Sequence, residues 1–301
     1  IRRPPRSTQG VSSAASDVYK RQIQRAIPDT PSGKSALDEE SVFTAVERLH
    51  RRATGSFSVV AMITGWGVIA IRDRHGIRPL CMGSRTEDGM VERIFASESV
   101  ALDVLDFKLD RDVKPGETVI VRSNGAITSR ICAPVAEPRP CIFEHVYFSR
   151  PDSTIDGVSV HAARLEMGRI MGERILKENP DHGIDVVVPV PDSGRIAALE
   201  LARTLGVQYR EGFVKNRYIG RTFIMPGQNV RKKSVRKKLN TILGEFQNKN
   251  VLIVDDSIVR GNTSKRIVEM ARSAGAEQVF FASCAPPVSY THLTLPTILL
   301  V

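Results

Sequence analysis

Two adjacent carboxylates, Asp255 and Asp256, follow directly after an apolar run at residues 251–254. An unbroken apolar run of this kind predicts a strand that is buried on both faces of a parallel sheet. Adjacent side chains of an extended chain point to opposite sides, so the two carboxylates can approach a ligand hydroxyl or a hydrated Mg²⁺ from different directions. Taken alone, the Asp pair is equally consistent with a strand end followed by a helix cap.

The loop after the acidic pair adds groups that bind phosphate. It is followed by a helical pattern at residues 265–274, and it offers backbone N–H groups, hydroxyls and the positive end of a helix. In open α/β sheets, ligands bind at the carboxyl ends of the strands. The whole run therefore predicts a site for a ligand that carries both a sugar diol and a phosphate, with these candidate residues after the acidic pair: Ser257, Arg260, Gly261, Asn262, Thr263 and Ser264.

The run at residues 255–261 resembles the phosphoribosyl pyrophosphate (PRPP) signature of type I phosphoribosyltransferases. More narrowly, it is similar to that of the glutamine PRPP amidotransferases, also called amidophosphoribosyltransferases. That family usually has Thr where this chain has Asn262, a change that keeps a small polar side chain. The resemblance implies that Asp255 and Asp256 hold the ribose hydroxyls and Mg²⁺, and that residues 260–264 cradle the 5′-phosphate.

A second strand end is predicted to face the same ligand. An apolar strand at residues 184–190 runs into a tight loop at residues 191–194, and a helix follows at residues 195–205. Alternation of strands and helices predicts βαβ units on a parallel sheet. The resemblance implies that this loop contacts the pyrophosphate and that Ser193 lies near Mg²⁺. From the local sequence alone, an ordinary β–α turn explains the loop equally well.

A strongly basic segment, residues 212–239, contains Lys215, Tyr218 and Arg221. Its run at residues 231–238, taken alone, fits a nuclear-localisation or nucleic-acid patch. Between two strands of a PRPP site, a cationic lid that closes over phosphates is the better explanation. Residues 215–224 also resemble the flexible loop of the family, so we expect Lys215, Tyr218 and Arg221 to contact PRPP.

The first half of the chain predicts strands with helices packed outside them. Its turn residues Asp73 and His75 invite a catalytic interpretation, but their polar setting between strands favours a turn role. Residues 72–80 and 96–103 resemble the later part of the family's glutaminase domain, an αββα sandwich of the N-terminal-nucleophile (Ntn) hydrolase type. The helices are expected at residues 38–51 and 100–105, and the strands at residues 57–63, 66–71, 80–83, 91–96, 118–121 and 126–131.

The expected fold is therefore a partial Ntn-hydrolase glutaminase sandwich of the α+β class, followed by a truncated α/β type I phosphoribosyltransferase fold. The domains are predicted at residues 23–148 and 149–288, with an amphipathic helix at residues 159–178. Residues 1–22 match nothing in the family and are expected to be non-native or disordered. Residues 289–301 are expected to be a non-native tail, with a native strand as the alternative. The family's amino-terminal Cys nucleophile has no counterpart, so no catalytic residue is assigned, and the chain itself is expected to be inactive in the full reaction.

Composition excludes several classes of protein. The sequence contains no run of 18 or more apolar residues, so no transmembrane helix is predicted and a membrane is not an expected partner. The basic residues are concentrated in two short segments, so a nucleic acid is not an expected partner either. The cysteines have no metal-type spacing and are typical of free thiols in a reducing compartment, which predicts a cytoplasmic protein. Some family members bind an iron–sulfur cluster with a ligand at the position of Cys141, but this chain alone does not support a cluster.

The resemblance implies an enzyme, a pentosyltransferase of the glycosyltransferase class. The reaction would be glutamine-dependent conversion of PRPP to 5-phosphoribosylamine, the first step of de novo purine biosynthesis, with Mg²⁺ as cofactor. The implied partners are PRPP, glutamine or ammonia, purine nucleotide feedback inhibitors and, in the intact parent, further copies in a homo-oligomer. Two alternatives stay open: a simple phosphoribosyltransferase that transfers to a base, and an inactive remnant that binds PRPP or a nucleotide.

Overall fold

The computed structural model of the protein describes residues 37–134, 136–216, 239–258 and 261–286. These residues divide into two units. The first contains the described residues up to Cys141 together with Thr154–Gly157, and the second contains Ile142–Ser153 and the described residues from Val158 onward. The predicted boundary between residues 148 and 149 lies within residues 142–157, where the chain passes from one unit to the other and back. The predicted non-native ends lie outside the described residues, in which no helix is long and apolar enough to span a membrane.

The described part of the first unit contains two antiparallel sheets and two helices. The larger sheet has the strand order β1-β2-β6-β7 and the smaller one the order β4-β3-β5. The elements are α1 Glu39–Arg52, β1 Ser58–Ile63, β2 Gly67–Arg72, β3 Cys81–Glu87, β4 Met90–Ala96, α2 Val100–Asp103, β5 Lys108–Asp112, β6 Glu117–Arg122, β7 Ile127–Ile131 and, in the segment Thr154–Gly157, β8 Thr154–Ile155.

Alternating side chains on the strands explain the layers of this unit. On β2, Ile69 and Ile71 join the core that the larger sheet shares with α1, whereas Ala70 points to the other face and packs with Met82 of the smaller sheet. On the outer face of the smaller sheet, α2 lies so close to Gly83 that an added Cβ would come within 2.4 Å of a Leu102 side-chain carbon. The order helix, sheet, sheet, helix confirms the αββα architecture expected for the first half.

The turn after β2 is built around Asp73. Its buried carboxylate accepts backbone N–H groups from His75 at 2.9 Å and from Ile77 and Arg78 at 3.2 Å. Three donors on one carboxylate fix a tight turn. The structure thus supports the turn role predicted for Asp73 and His75. Strand β5 was missed because its charged, mostly exposed residues give no apolar alternation.

The described part of the second unit contains a parallel sheet with the strand order β11-β10-β14-β15 and a separate antiparallel pair, β12 with β13. A short π-helix, Glu144–Phe148, precedes them. The elements are β9 Val158–Ser159, α3 Val160–Glu178, β10 Val186–Pro189, α4 Arg195–Leu205, β11 Gln208–Tyr209, β12 Phe213–Lys215, β13 Leu239–Thr241, β14 Asn250–Asp255, α5 Asn262–Ser273 and β15 Gln278–Ser283.

Helices cover both faces of the parallel sheet. Val251 and Ile253 of β14 pack in a core that includes Ile267 of α5. Leu252 and Val254 point to the opposite face, into a core with residues of α3 and α4. Burial on both faces is the state that the apolar run predicts, and the α/β type I phosphoribosyltransferase architecture expected for the second half is confirmed.

The contacts of Glu117 predict that the stability of the first unit depends on pH. Burial opposes the charge of this carboxylate, but paired hydrogen bonds of 2.8 Å from Arg111 and one of 2.7 Å from the Lys114 N–H outweigh it, so the pKa of Glu117 lies below its usual 4.5. We expect Glu117→Gln to lower the free energy of unfolding by about 1–3 kcal/mol at pH 7. Because the folded pKa is depressed, this difference is full above pH 4.5 and shrinks as the pH falls through the folded value.

The measurement is urea unfolding followed by the fluorescence of Trp66, the single tryptophan, which lies in the core of this unit. The matched control is Glu40→Gln, which removes an exposed carboxylate from a similar pair with Arg130. A loss at pH 7 no larger than that of the control would contradict the stabilising role of Glu117.

Candidate functional site

The two central strands of the parallel sheet end side by side. Val188 pairs with Ile253 and Pro189 with Val254, and the Val190 N–H donates to the Val254 carbonyl at 2.8 Å. From β10 the chain continues through α4 to β11 on one side, and from β14 through α5 to β15 on the other. The strand order therefore reverses between β10 and β14. In open α/β sheets, the crevice at such a reversal is where ligands bind.

The acidic pair lies at this reversal and is buried. Asp255 and Asp256 are 7% and 8% exposed. The Ser193 hydroxyl, from the loop after β10, donates to one carboxylate oxygen of Asp256, and the Ser257 hydroxyl donates to the other at 2.5 Å. The structure thus brings together four of the residues predicted to bind ligand, from two loops that are far apart in sequence.

Burial and crowding set the electrostatics of the pair. Burial raises the pKa of Asp255 above its usual value, and the neighbouring charge of Asp256 raises it further, against a hydrogen bond of 2.9 Å from the Asp256 N–H. Two carboxylates removed from water at one point resist simultaneous ionisation. A cation or hydroxyl donors supplied by a ligand would relieve this cost, so the pair is suited to binding such groups.

The segment after β15 fixes the backbone of the acidic pair. The Cys284 N–H donates to the Asp255 carbonyl at 3.1 Å, and the Ala285 N–H donates to the Asp256 carbonyl at 3.0 Å. Burial, with the charges of Asp256 and Asp255, raises the pKa of the Cys284 thiol to about 12. The sequence identified Cys284 only as a free thiol. Its place at the site follows from strand pairing, which no local pattern encodes.

The helix after the acidic pair begins at Gly261. This residue has φ 70° and ψ −13°, a left-handed conformation that favours glycine, and no side chain caps the helix that follows it. The N–H groups of the first helical turn point out of the helix end and suit an anion. Of the predicted phosphate-binding residues, Asn262 and Thr263 are exposed there, Ser264 is buried, and Arg260 lies outside the described residues.

The structure describes the two ends of the predicted lid, where the basic segment begins and where it ends. Strands β12 and β13 pair with Phe213 opposite Thr241, which brings the two ends of the basic segment together. Lys215 lies at the end of β12, and its Nζ is 2.7 Å from a carboxylate oxygen of Asp192 in the loop after β10. Tyr218, Arg221 and the rest of the lid, residues 217–238, lie outside the described residues.

The donor set at the crevice fits Mg²⁺. In the ranges that the structure describes, no group of three or more His, Cys, Asp or Glu is arranged to hold a metal ion. Mg²⁺, however, is commonly bound by one or two carboxylates, with water and substrate phosphates completing the octahedron. Asp255, Asp256 and the Ser193 hydroxyl offer the hard oxygen ligands that such a site needs. Cys141 has a free thiol.

A separate cavity of about 350 Å³ lies between β13 and α5, with Leu239, Met270, Arg266 and Glu269 among its lining residues. None of the predicted site residues lines it. Because ligands of this fold class bind at the sheet edge, and because the perturbed carboxylates are there, the crevice rather than this cavity is the candidate site.

Comparison with known proteins identifies homologues of this chain. The model of the phosphoribosyl transferase domain matches residues 160–291. The amidophosphoribosyltransferase of Pseudomonas aeruginosa is 58% identical over 255 residues, which are 85% of this chain and 51% of that protein. The chain is therefore homologous to amidophosphoribosyltransferases over most of its own length, and it spans about half the length of the relatives that it matches.

Solved structures agree. One, described as the allosteric regulatory enzyme of purine biosynthesis, matches with a TM-score of 0.75 and 36% identity and covers 91% of this chain and 54% of its own. Another is the glutamine PRPP amidotransferase from B. subtilis in complex with ADP and GMP, with a TM-score of 0.69 and 34% identity, covering 92% of this chain and 60% of its own. Matches that cover more than nine-tenths of the chain include both units.

The geometry of the β10 loop predicts the effect of a single methyl group. A Cβ on Gly194 would lie 2.5 Å from the Val254 carbonyl oxygen and 3.0 Å from that of Val190, both backbone atoms that cannot move aside. We expect Gly194→Ala to lower the free energy of unfolding of the second unit by about 1–3 kcal/mol. The measurement is urea unfolding followed by far-UV circular dichroism.

The control is Gly244→Ala, because an added Cβ at Gly244 meets no atom within 4 Å. There we expect no loss of stability. Equal stabilities of the Gly194→Ala and Gly244→Ala chains would contradict the close approach of the β10 loop to β14.

Proposed function

We propose that the protein carrying this chain is an amidophosphoribosyltransferase, which uses glutamine-derived ammonia to convert PRPP to 5-phosphoribosylamine in the first step of purine biosynthesis. The observation that carries the proposal is the convergence of two strand-end loops on the buried pair Asp255 and Asp256. The homology of the chain to amidophosphoribosyltransferases supports it.

PRPP presents a ribose diol, a 5′-phosphate and a pyrophosphate, and each fits a different part of the crevice. The carboxylates of Asp255 and Asp256 accept hydrogen bonds from the ribose hydroxyls, which relieves their crowding. The N–H groups at the start of α5, with the side chains of Thr263 and Ser264, hold the 5′-phosphate. Arg260 adds a cation next to them in the sequence.

The pyrophosphate belongs on the β10 side of the crevice. Ser193 is already hydrogen-bonded to Asp256, and it links the pyrophosphate loop to the acidic pair. When bound, Mg²⁺ supplies charge neutralisation of the pyrophosphate leaving group. The chain's own groups for it are Asp255, Asp256 and the Ser193 hydroxyl, with waters and phosphate oxygens as the remaining ligands.

The reaction breaks the bond between C1 of the ribose and the pyrophosphate and forms a bond to ammonia. The acidic pair stabilises the positive charge that develops on the ribose ring, since preorganised charges act strongly in a site that excludes water. Lys215, Tyr218 and Arg221 belong to the lid, which contacts the phosphates and keeps water from competing with ammonia at C1.

The first unit fits part of a glutaminase domain. Its αββα layers and the match of solved amidophosphoribosyltransferase structures to more than nine-tenths of the chain favour this over an unrelated domain. A simple phosphoribosyltransferase with a base as acceptor would leave that unit unexplained. Retention of PRPP binding without any ammonia-dependent reaction in the whole protein would favour the third candidate, an inactive remnant.

Further properties follow as proposals from the same family. We infer a cytoplasmic enzyme, in keeping with the free thiols, and purine nucleotides as inhibitors, since the B. subtilis relative was solved with ADP and GMP. A homo-oligomer of the whole protein is inferred from the family resemblance alone. Neither a nucleic acid nor a membrane is proposed as a partner.

The central test removes the charges of the acidic pair. In the whole protein, Asp255→Asn with Asp256→Asn should abolish PRPP turnover, with ammonia or with glutamine as nitrogen donor, and should spare the hydrolysis of glutamine. In the 301-residue chain, the same double variant should lose binding of PRPP with Mg²⁺, measured by isothermal titration calorimetry.

An exposed Asp→Asn change in the same unit, Asp181→Asn, serves as the control for the loss of negative charge. It should leave both PRPP binding and turnover unchanged. Ammonia-dependent synthesis that survives at the wild-type rate in the double variant would refute the role of the acidic pair.

A further inference from the structure

An anion of the protein lies between two cations on the pyrophosphate side of the crevice. One carboxylate oxygen of Asp192 is 2.7 Å from the Lys215 Nζ, and the other is 3.5 Å from a guanidinium nitrogen of Arg195. Asp192 immediately precedes Ser193, the residue that binds Asp256. The carboxylate therefore occupies a position among cations that phosphate oxygens of a ligand would also favour.

The two cations differ in what else holds them. Arg195 lies 3.2 Å from Glu211, which in turn accepts the Tyr209 hydroxyl at 2.6 Å. Lys215 is a flexible ammonium at the end of β12, at the start of the basic segment, and 49% of its side chain is exposed. Of the two, Lys215 is the cation that a ligand can take over, because its long stem lets it turn from one anion to another.

We propose that Asp192 is an internal counter-ion of this site, which binds Lys215 in the free protein and gives it up to the pyrophosphate of the ligand. This inference rests on the proposed function. A ligand that brings a pyrophosphate replaces one carboxylate by several charged oxygens, so it competes for Lys215 successfully. A ligand without such a group in this position leaves the Lys215–Asp192 pair intact and gains nothing from Lys215. Asp192 thus lowers the affinity of the site for pyrophosphorylated ligands, which must displace it from Lys215, and leaves the affinity for simple phosphates unchanged.

The test is the Asp192→Asn variant of the 301-residue chain, with isothermal titration of three probes in Mg²⁺ buffer: PRPP, inorganic pyrophosphate and ribose 5-phosphate. Freed from its internal counter-ion, Lys215 should tighten binding of PRPP and pyrophosphate on the order of two- to five-fold, the range of an ion pair between half-exposed groups. Ribose 5-phosphate should bind with unchanged affinity.

A matched control and a second variant isolate the interaction. Glu178→Gln removes the same charge from the pair with Arg174, whose side chains are similarly exposed and which lies at the end of α3, and should leave all three affinities unchanged. In a Lys215→Met background, Asp192→Asn should no longer tighten PRPP binding, since the effect requires both partners.

The outcomes separate the inference from the proposed function. Unchanged or weaker PRPP binding by Asp192→Asn overturns the counter-ion role, as does equal tightening for all three probes or tightening that persists without Lys215. If the wild-type chain binds PRPP, such results leave the proposed function standing. If the wild-type chain does not bind PRPP with Mg²⁺, the proposed function fails, and the inference fails with it.

Discussion

The parallel pairing of β10 with β14 is the constraint on which the site depends. Because the two strands end in register, the loops that follow them start at the same edge of the sheet, and because their helices leave in opposite directions, a crevice opens between the loops. Both strands are buried on both faces, so neither can shift by a residue without moving its apolar side chains out of the two cores. The rigidity of the sheet is what lets Ser193 and Asp256, from separate loops, meet.

The site is assembled at an electrostatic cost that ligands can relieve. Burial and the neighbouring charge of Asp256 raise the pKa of Asp255. A third carboxylate, Asp192, is balanced by Lys215 and Arg195. None of these charged groups belongs to the two hydrophobic cores, to which β14 contributes the apolar run from Val251 to Val254. Charged groups at the end of a buried strand cost stability. They are typical of sites where the residue type serves ligand binding and not stability. A ligand with hydroxyls, bound cations and phosphates complements all of them together.

Much of this could be predicted from the sequence, and what was missed has two causes. The apolar run before Asp255, the glycine before a helix and the tight loop at residues 191–194 are local patterns, and each formed the element that it predicted. The contacts between Ser193 and Asp256, Lys215 and Asp192, and Cys284 and Asp255 join residues distant in sequence, so they follow only once the strand order is known. Strand β5 was missed for another reason: its exposed, charged residues are held by pairing with β3 and not by their own propensity.

The most direct test of the crevice is a hydrogen–deuterium exchange footprint of PRPP with Mg²⁺ on the 301-residue chain. A ligand held by both loops should slow exchange at the amides of residues 192–194, 256–258 and 262–264 together, and leave β1 and β7 of the first unit unchanged. Protection confined to residues 239–241 and 266–274, which line the separate cavity, with no change at the two loops, would contradict the account.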